Sequence, residues 1–251
     1  MVVATEVLVA LVVLAFLGGI IVATIGPGGI LIVTGLYLMT SLSSAEVAGT
    51  SSAVFTIGAV LGSLIYARSG EIDWWIAGVV SAAAAAGTWV GVQANAYLSR
   101  ALYGIVLAVL LAIVGVTIVY QEYHDLEPRV ELGRGGWDTA GFVAVGIVIG
   151  VAGGLLGIGG AALSAPALVL VGVPMLATIA ITQVVVVATA LFTTLNYVLL
   201  DAIVTSLFVP ITLSYLGGVG IGWWLAHRAE PGRLKLTLGV ALIGLAGSLV
   251  V

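Results

Sequence analysis

The chain has 251 residues, of which 62% are hydrophobic and only 7% charged, with a formal net charge of −4, 35 glycines and no cysteine. That composition, with a mean hydropathy of +1.31, excludes a soluble globular domain and places the chain in a bilayer. It also excludes a nucleic-acid surface, which needs a basic stripe, and any disulfide, thiolate nucleophile or cysteine-built zinc site.

The first apolar segment, 7–40, carries no charge. As one helix its roughly 34 residues would reach about 50 Å, well beyond a hydrocarbon core of about 30 Å. Its start, "MVVATEVLVALVVLAFLGG", lacks the basic n-region of a signal peptide, so a retained helix is expected. Within the segment, "IGPGGI" (25–30) interrupts the apolar run. Pro27 has no amide donor, disfavours helix at the residue before it, and suits the first turn of a new helix. The segment therefore reads as a helix that enters, breaks at the glycines, and leaves on the side it came from. Segments near 46–67, 74–97 and 101–120 follow, each close to one span. The polar run "QEYHDLEPRVELGRGGWD" (121–138) ends this half. A second overlong uncharged segment, 139–172, contains "GIGGAA" (157–162), and spans near 175–200, 203–226 and 234–251 complete the chain.

A shift of 131 positions superimposes the halves. Gly19 falls on Gly150, Gly26 on Gly157, Gly28 on Gly159, Gly29 on Gly160, Tyr66 on Tyr197, Gly87 on Gly218 and Gly91 on Gly222. The expected fold is an all-α polytopic membrane protein of two homologous repeats, 1–121 and 138–251, joined by a polar linker, 122–137. Each repeat has three full spans plus a long glycine-broken, re-entrant segment. Charge selects between topologies. In a parallel four-plus-four arrangement Arg68, Arg129 and Arg134 oppose Arg100, Arg228, Arg233 and Lys235, which decides nothing. With re-entrant segments and inverted halves, Arg100 alone opposes the other six, as the positive-inside rule expects. The inverted repeat is favoured, in a cell membrane, with both termini extracytoplasmic.

A helix broken inside the membrane exposes amides at the start of its second half, at the positive pole of the helix dipole. Glycine allows close backbone approach there, and transporters place such breaks near the midplane. An anion can bind at such an end, but desolvation costs several kcal/mol against about 0.3 to 2 kcal/mol per helix terminus. Further donors, at roughly 1.5 to 3 kcal/mol each toward a charged group, must come from the helix after each break. The candidate substrate-binding residues are therefore Gly26, Gly28, Gly29, Thr50, Ser51 and Ser52 in the first half, and Gly157, Gly159, Gly160, Thr182 and Gln183 in the second. The alternative role for these hydroxyls is bonding to the backbone one turn back. The pairs Gly87/Gly91 and Gly218/Gly222 fit close helix packing. Asp201, Glu46, Glu71 and Asp73 read as solvated helix ends. His124 and His227 sit in polar loops, so no metal site is expected. Trp74, Trp75, Trp137, Trp223 and Trp224 read as interfacial anchors.

The stretch "GLLGIGGAALSAPALVLVGVP" (154–174), followed by "ATIAITQVVVVATALFTTLNY", resembles the signature of the TauE/SafE sulfite-exporter family. The first half repeats it more loosely as "GPGGILIVTGLYLMTSLSSAEVAGTSSAVFT". Three departures stand out: Ala161 after Gly160, Gly35 where the second half has Pro166, and Thr182-Gln183 where a Thr-Ser pair is typical. The resemblance implies a secondary transporter of sulfite, sulfonates or a similar small sulfur-containing anion, driven by an ion or proton gradient. Alternatives are an anion channel on the same broken helices and a non-transporting membrane scaffold. No catalytic residue, enzyme activity or cofactor is expected. The expected partners are the small anion and the lipid bilayer, with a second copy of the chain left open.

Overall fold

The computed structural model describes residues 4–24, 27–70, 72–124 and 135–226, together with 244, 246 and 247. All but those three residues of the expected last span, together with Gly26, Glu71, His227 and most of the linker, lie outside the described residues. Among the described residues there are nine α-helices and no strand: α1 (Thr5–Thr24), α2 (Ile30–Met39), α3 (Ser44–Ser69), α4 (Trp74–Ala96), α5 (Arg100–His124), α6 (Gly136–Leu156), α7 (Ala161–Leu170), α8 (Met175–Leu199) and α9 (Thr205–Ala226). A 3-10 turn, Pro27–Gly29, precedes α2. All but α2 and α7 are long and apolar enough to cross a membrane, and the chain is a multi-pass membrane protein. Large apolar side chains face outward, as Leu102, Ile105, Val109, Ile113 and Val116 do along one stripe of α5. That outward face suits lipid. Trp74, Trp137, Trp223 and Trp224 are exposed near helix ends.

Local chemistry sets the helix boundaries. Ser43 and Glu46 form a capping box at the start of α3: the Glu46 carboxylate accepts from the Ser43 amide at 2.8 Å, and the Ser43 hydroxyl accepts from the Glu46 amide at 3.2 Å. Asp73 caps α4 by accepting from the amides of Trp75 and Ile76. Each cap satisfies donors that a helix start leaves open. Gly70 closes α3 in the left-handed conformation, φ 77°. The C-terminal end of α2 is covered by Arg100, whose guanidinium donates to the carbonyls of Tyr37, Thr40 and Leu42 and stacks 4.7 Å from the Tyr37 ring centroid. A cation at this pole is stabilised by the helix dipole.

The helix starts recur at a fixed spacing. α1 and α6 begin at 5 and 136, α2 and α7 at 30 and 161, α3 and α8 at 44 and 175, α4 and α9 at 74 and 205, all 131 apart. Packing crosses between these sets. α1 runs parallel to α9, with Ser214 donating to the Val12 carbonyl at 2.7 Å and Gly218 and Gly222 set against Phe16 and Ile20. α4 runs parallel to α6, with Gly87 and Gly91 on Ile147 and Val151, and Gly150 and Gly154 on Ala84 and Thr88. At the centre α3 and α8 run antiparallel: Gly49 meets Tyr197, the Thr56 and Thr194 hydroxyls lie 3.0 Å apart, and Gly62 meets Gln183. α2 doubles back along α1, with Gly28 on Gly18 and Val22, and Gly35 on Leu11 and Leu14.

At the two parallel seams the contact is backbone on backbone. A methyl group at Gly87, Gly91, Gly150, Gly218 or Gly222 would run into a carbonyl oxygen of the facing helix, so packing governs these glycines. Gly150→Ala is expected to destabilise the purified protein by about 1–3 kcal/mol through overpacking. Gly78→Ala, whose added methyl meets nothing within 4 Å, should be neutral or gain up to about 1 kcal/mol of helix propensity. Thermal unfolding in detergent measures both.

Candidate functional site

At the second glycine break most of the carbonyls are taken up, Ile158 being the exception between Gly153 and Gly160, whereas the first amides of α7 are not. α6 ends at Leu156 because Gly157 turns left-handed, φ 69°, and returns its amide to the Gly153 carbonyl at 2.9 Å. Gly159 and Gly160 also have positive φ, 63° and 76°, a conformation that glycine adopts without strain. The carbonyls so freed receive side-chain donors from four helices. The Tyr197 hydroxyl donates to Gly154 at 3.0 Å, the Asn95 amide to Leu155 at 2.7 Å, the Tyr103 hydroxyl to Leu156 at 2.8 Å and the Ser51 hydroxyl to Gly157 at 2.9 Å. The Thr189 hydroxyl donates to Gly159. Beyond the break, the Gly160 carbonyl accepts from the amides of Leu163 and Ser164 and from the Ser164 hydroxyl. No side chain caps the start of α7. Among the described residues the amides of Ala161 and Ala162 make no backbone hydrogen bond, as expected of a first helical turn.

Ala161, at the start of α7, borders a narrow cavity that lies midway along α3 and α9. Its walls are Val22, Phe55, Ala59, Ile158 and Val186; Gly29 and Ala161 bring the starts of α2 and α7 to it; Thr182, Gln183 and Tyr215 supply its polar side chains. Thr182 is 2% exposed, and its hydroxyl has no hydrogen-bond partner. Other buried hydroxyls also lack partners, those of Thr34, Ser63, Ser81 and Thr193, but Thr182 alone among them lines the cavity. Tyr215 packs edge-on to Phe55, ring centroids 5.7 Å apart. A second cavity shares Val22 and Gln183 and continues past Gly58 and Gly62 to Tyr66, Val219 and Trp223, toward the C-terminal ends of α3 and α9. Gln183 stands where the two meet.

Of the residues singled out from sequence, Gly29, Thr182 and Gln183 line the cavity. Gly159 borders it through Phe55 and Val186, which its Cα faces, while Gly28, Gly157 and Gly160 are packed on Gly18, Ala48 and Ile149. Equivalent positions differ in conformation: Gly29 is right-handed, φ −58°, whereas Gly160 is left-handed. The three first-half hydroxyls serve the scaffold instead. Thr50 accepts from the Val204 amide at 3.0 Å, just ahead of α9. Ser51 closes the second break, and Ser52 bonds back to Ala48 within α3.

Sequence reasoning missed Phe55 and Tyr215, and the glycines that make room for the polar side chains. A methyl at Gly58 would strike the Tyr215 ring, and one at Gly62 would lie 2.6 Å from the Gln183 Oε1. The 131-residue offset holds no signal for Tyr215, because it falls on Ala84. Asn95 and Tyr103, which close the break, were missed as well; they sit near ends of the expected spans 74–97 and 101–120. Tyr103→Phe leaves the buried Leu156 carbonyl without a donor, so it should cost about 1–3 kcal/mol, measured as a lowered unfolding midpoint of the purified protein.

Comparison with protein families matches residues 11–249 to the family described as Sulfite exporter TauE/SafE. Two curated relatives, each named "Probable membrane transporter protein", come from Xylella fastidiosa strains Temecula1 / ATCC 700964 and 9a5c. Each is 27% identical over 241 residues, covering 91% of this chain and 89% of its own. No solved structure matches. With nearly its whole length inside the family match, the chain belongs to the TauE/SafE sulfite exporter family.

Proposed function

We propose that the chain is a secondary transporter that moves a small sulfur-containing anion across the cell membrane by alternating access, coupled to an ion or proton gradient. The observation that carries this reading is the meeting of donors at the cavity. The first turn of α7 offers open amides, Thr182 offers an unpartnered hydroxyl, and the neighbouring carbonyls of the break are already occupied. An anion entering there meets donors and the positive pole of a helix. Family membership supports a transporter, and the second cavity supplies a path from the centre toward one side.

The inverted repeat is part of the same proposal. Four pairs of helices start 131 residues apart. The central pair, α3 and α8, runs antiparallel, and α2 turns back along α1. These directions favour a re-entrant segment in each half and opposite orientations of the two halves, with the N-terminus outside and the linker in the cytoplasm. The chain has no native cysteine, so single-cysteine variants report cleanly. Thr5→Cys should react with an impermeant maleimide on intact cells and Glu127→Cys should not. Labelling of both, or of neither, would support the parallel arrangement.

The transport proposal is tested in proteoliposomes with radiolabelled sulfite, thiosulfate, sulfate and small sulfonates, with and without a pH gradient. Saturable, gradient-dependent flux is expected, and an absence of flux would refute it. Thr182→Val removes the hydroxyl at nearly constant volume. It should lower transport at least tenfold, the equivalent of about 1.4 kcal/mol, with no loss of inserted protein, and Thr182→Ser should retain most of it.

A further inference from the structure

We infer that the cavity selects singly charged anions over doubly charged ones, and that any proton moved with the substrate travels on the substrate itself. This rests on reading the cavity as an anion site. Every donor there is neutral: the Thr182 and Tyr215 hydroxyls, the Gln183 amide and the backbone amide of Ala161. Among the described residues no lysine, arginine or histidine lines it. Among the described residues the two arginines are accounted for elsewhere. Arg100 is engaged with the carbonyls at the end of α2, and Arg68 is exposed in the last turn of α3. The other basic residues, Arg129, Arg134, Arg228, Arg233 and Lys235, belong to the polar runs between spans.

Charge discrimination follows from how two quantities scale. The solvation lost on entering an apolar-walled site grows with the square of the ion's charge, roughly fourfold for a dianion. The attraction of fixed neutral dipoles grows only in proportion to charge, roughly twofold. A full positive charge would close that gap, and the site has none. The walls of Val22, Phe55, Ile158 and Val186 widen it by excluding water.

The same inventory says where a proton can reside. The groups facing the cavity from α1, α3, α7, α8 and α9 include one titratable side chain, Tyr215, and the adjoining cavity adds Tyr66. Phenols stay protonated far above neutrality. The acidic residues, from Glu6 and Glu46 to Asp201 and Glu230, fall at helix ends or in polar runs. With no carboxylate or imidazole among the described residues that line it, the site shows no group that gains and loses a proton near neutral pH. A substrate such as bisulfite, which carries its own, can respond to a pH gradient through its protonation state alone.

The test is anion binding to the full-length protein in detergent, followed by calorimetry and by thermal stabilisation, at pH values on either side of neutrality. Methanesulfonate is a permanent monoanion, sulfate is a dianion of the same tetrahedral shape, and sulfite converts between the two charge states. Methanesulfonate should bind with a pH-independent affinity that Thr182→Val weakens. Sulfate should bind at least about tenfold more weakly, and sulfite affinity should rise at lower pH in proportion to its bisulfite fraction. Equal binding of sulfate and methanesulfonate, or a methanesulfonate affinity that titrates, would overturn the inference while leaving an anion site in place. Failure of all three anions to bind would overturn the site itself, and the inference with it.

Discussion

A carbonyl at a buried helix end has no water to bond, so it must find its hydrogen bond within the protein. The end of α6 meets this constraint with side chains drawn from α3, α4, α5 and α8. Tyr197, Asn95 and Tyr103 each serve one carbonyl of the break, the Ser51 and Thr189 hydroxyls share theirs with the carbonyls of Val47 and Val185 one turn back, and together they gather four helices around a single point. The geometry is one-sided. Carbonyls are matched by hydroxyls and an amide, while the first amides of α7 are left without backbone partners. The imbalance gives an uncharged segment a local excess of donors. Hydroxyl-to-carbonyl bonds here tie the helices of the core together at the break.

The outer frame depends on a different economy of atoms. Where α4 meets α6 and α1 meets α9, glycines bring the backbones together, and close approach of this kind stabilises membrane helices that gain nothing from hydrophobic burial against one another. The central pair, α3 and α8, differs in carrying polar side chains: Thr56 faces Thr194, and Gln183 lies over Gly62. Tight, apolar seams thus flank a looser, polar middle. A cavity there is the natural result of that difference.

Much of this was legible in the sequence. Overlong uncharged segments and clustered glycines marked both breaks, and the 131-residue offset reappears in the helix starts. The packing role of Gly87, Gly91, Gly218 and Gly222 followed from their spacing. What could not be read was the aim of each hydroxyl. Ser51 and Thr182 occupy equivalent positions under the offset, yet one donates to Gly157 and the other faces the cavity without a partner. A hydroxyl's partner is set by the helix that happens to lie opposite, and a single sequence does not record it. Arg100 illustrates the same limit. Charge counting treated it only as one basic residue among seven, and nothing in that count indicates its engagement with the last carbonyls of α2.

The pairing of α1 with α9 also bears on how the protein is made. Ser214, Gly218 and Gly222, which receive the face of α1 at Val12, Phe16 and Ile20, are translated some two hundred residues later. At a synthesis rate of about 5–20 residues per second, that is a delay of roughly 10–40 s. For that interval the face of α1 at Val12, Phe16 and Ile20 has no α9 to pack on. Lipid or the insertion machinery must cover that face meanwhile, so this seam closes only after α9 has been made.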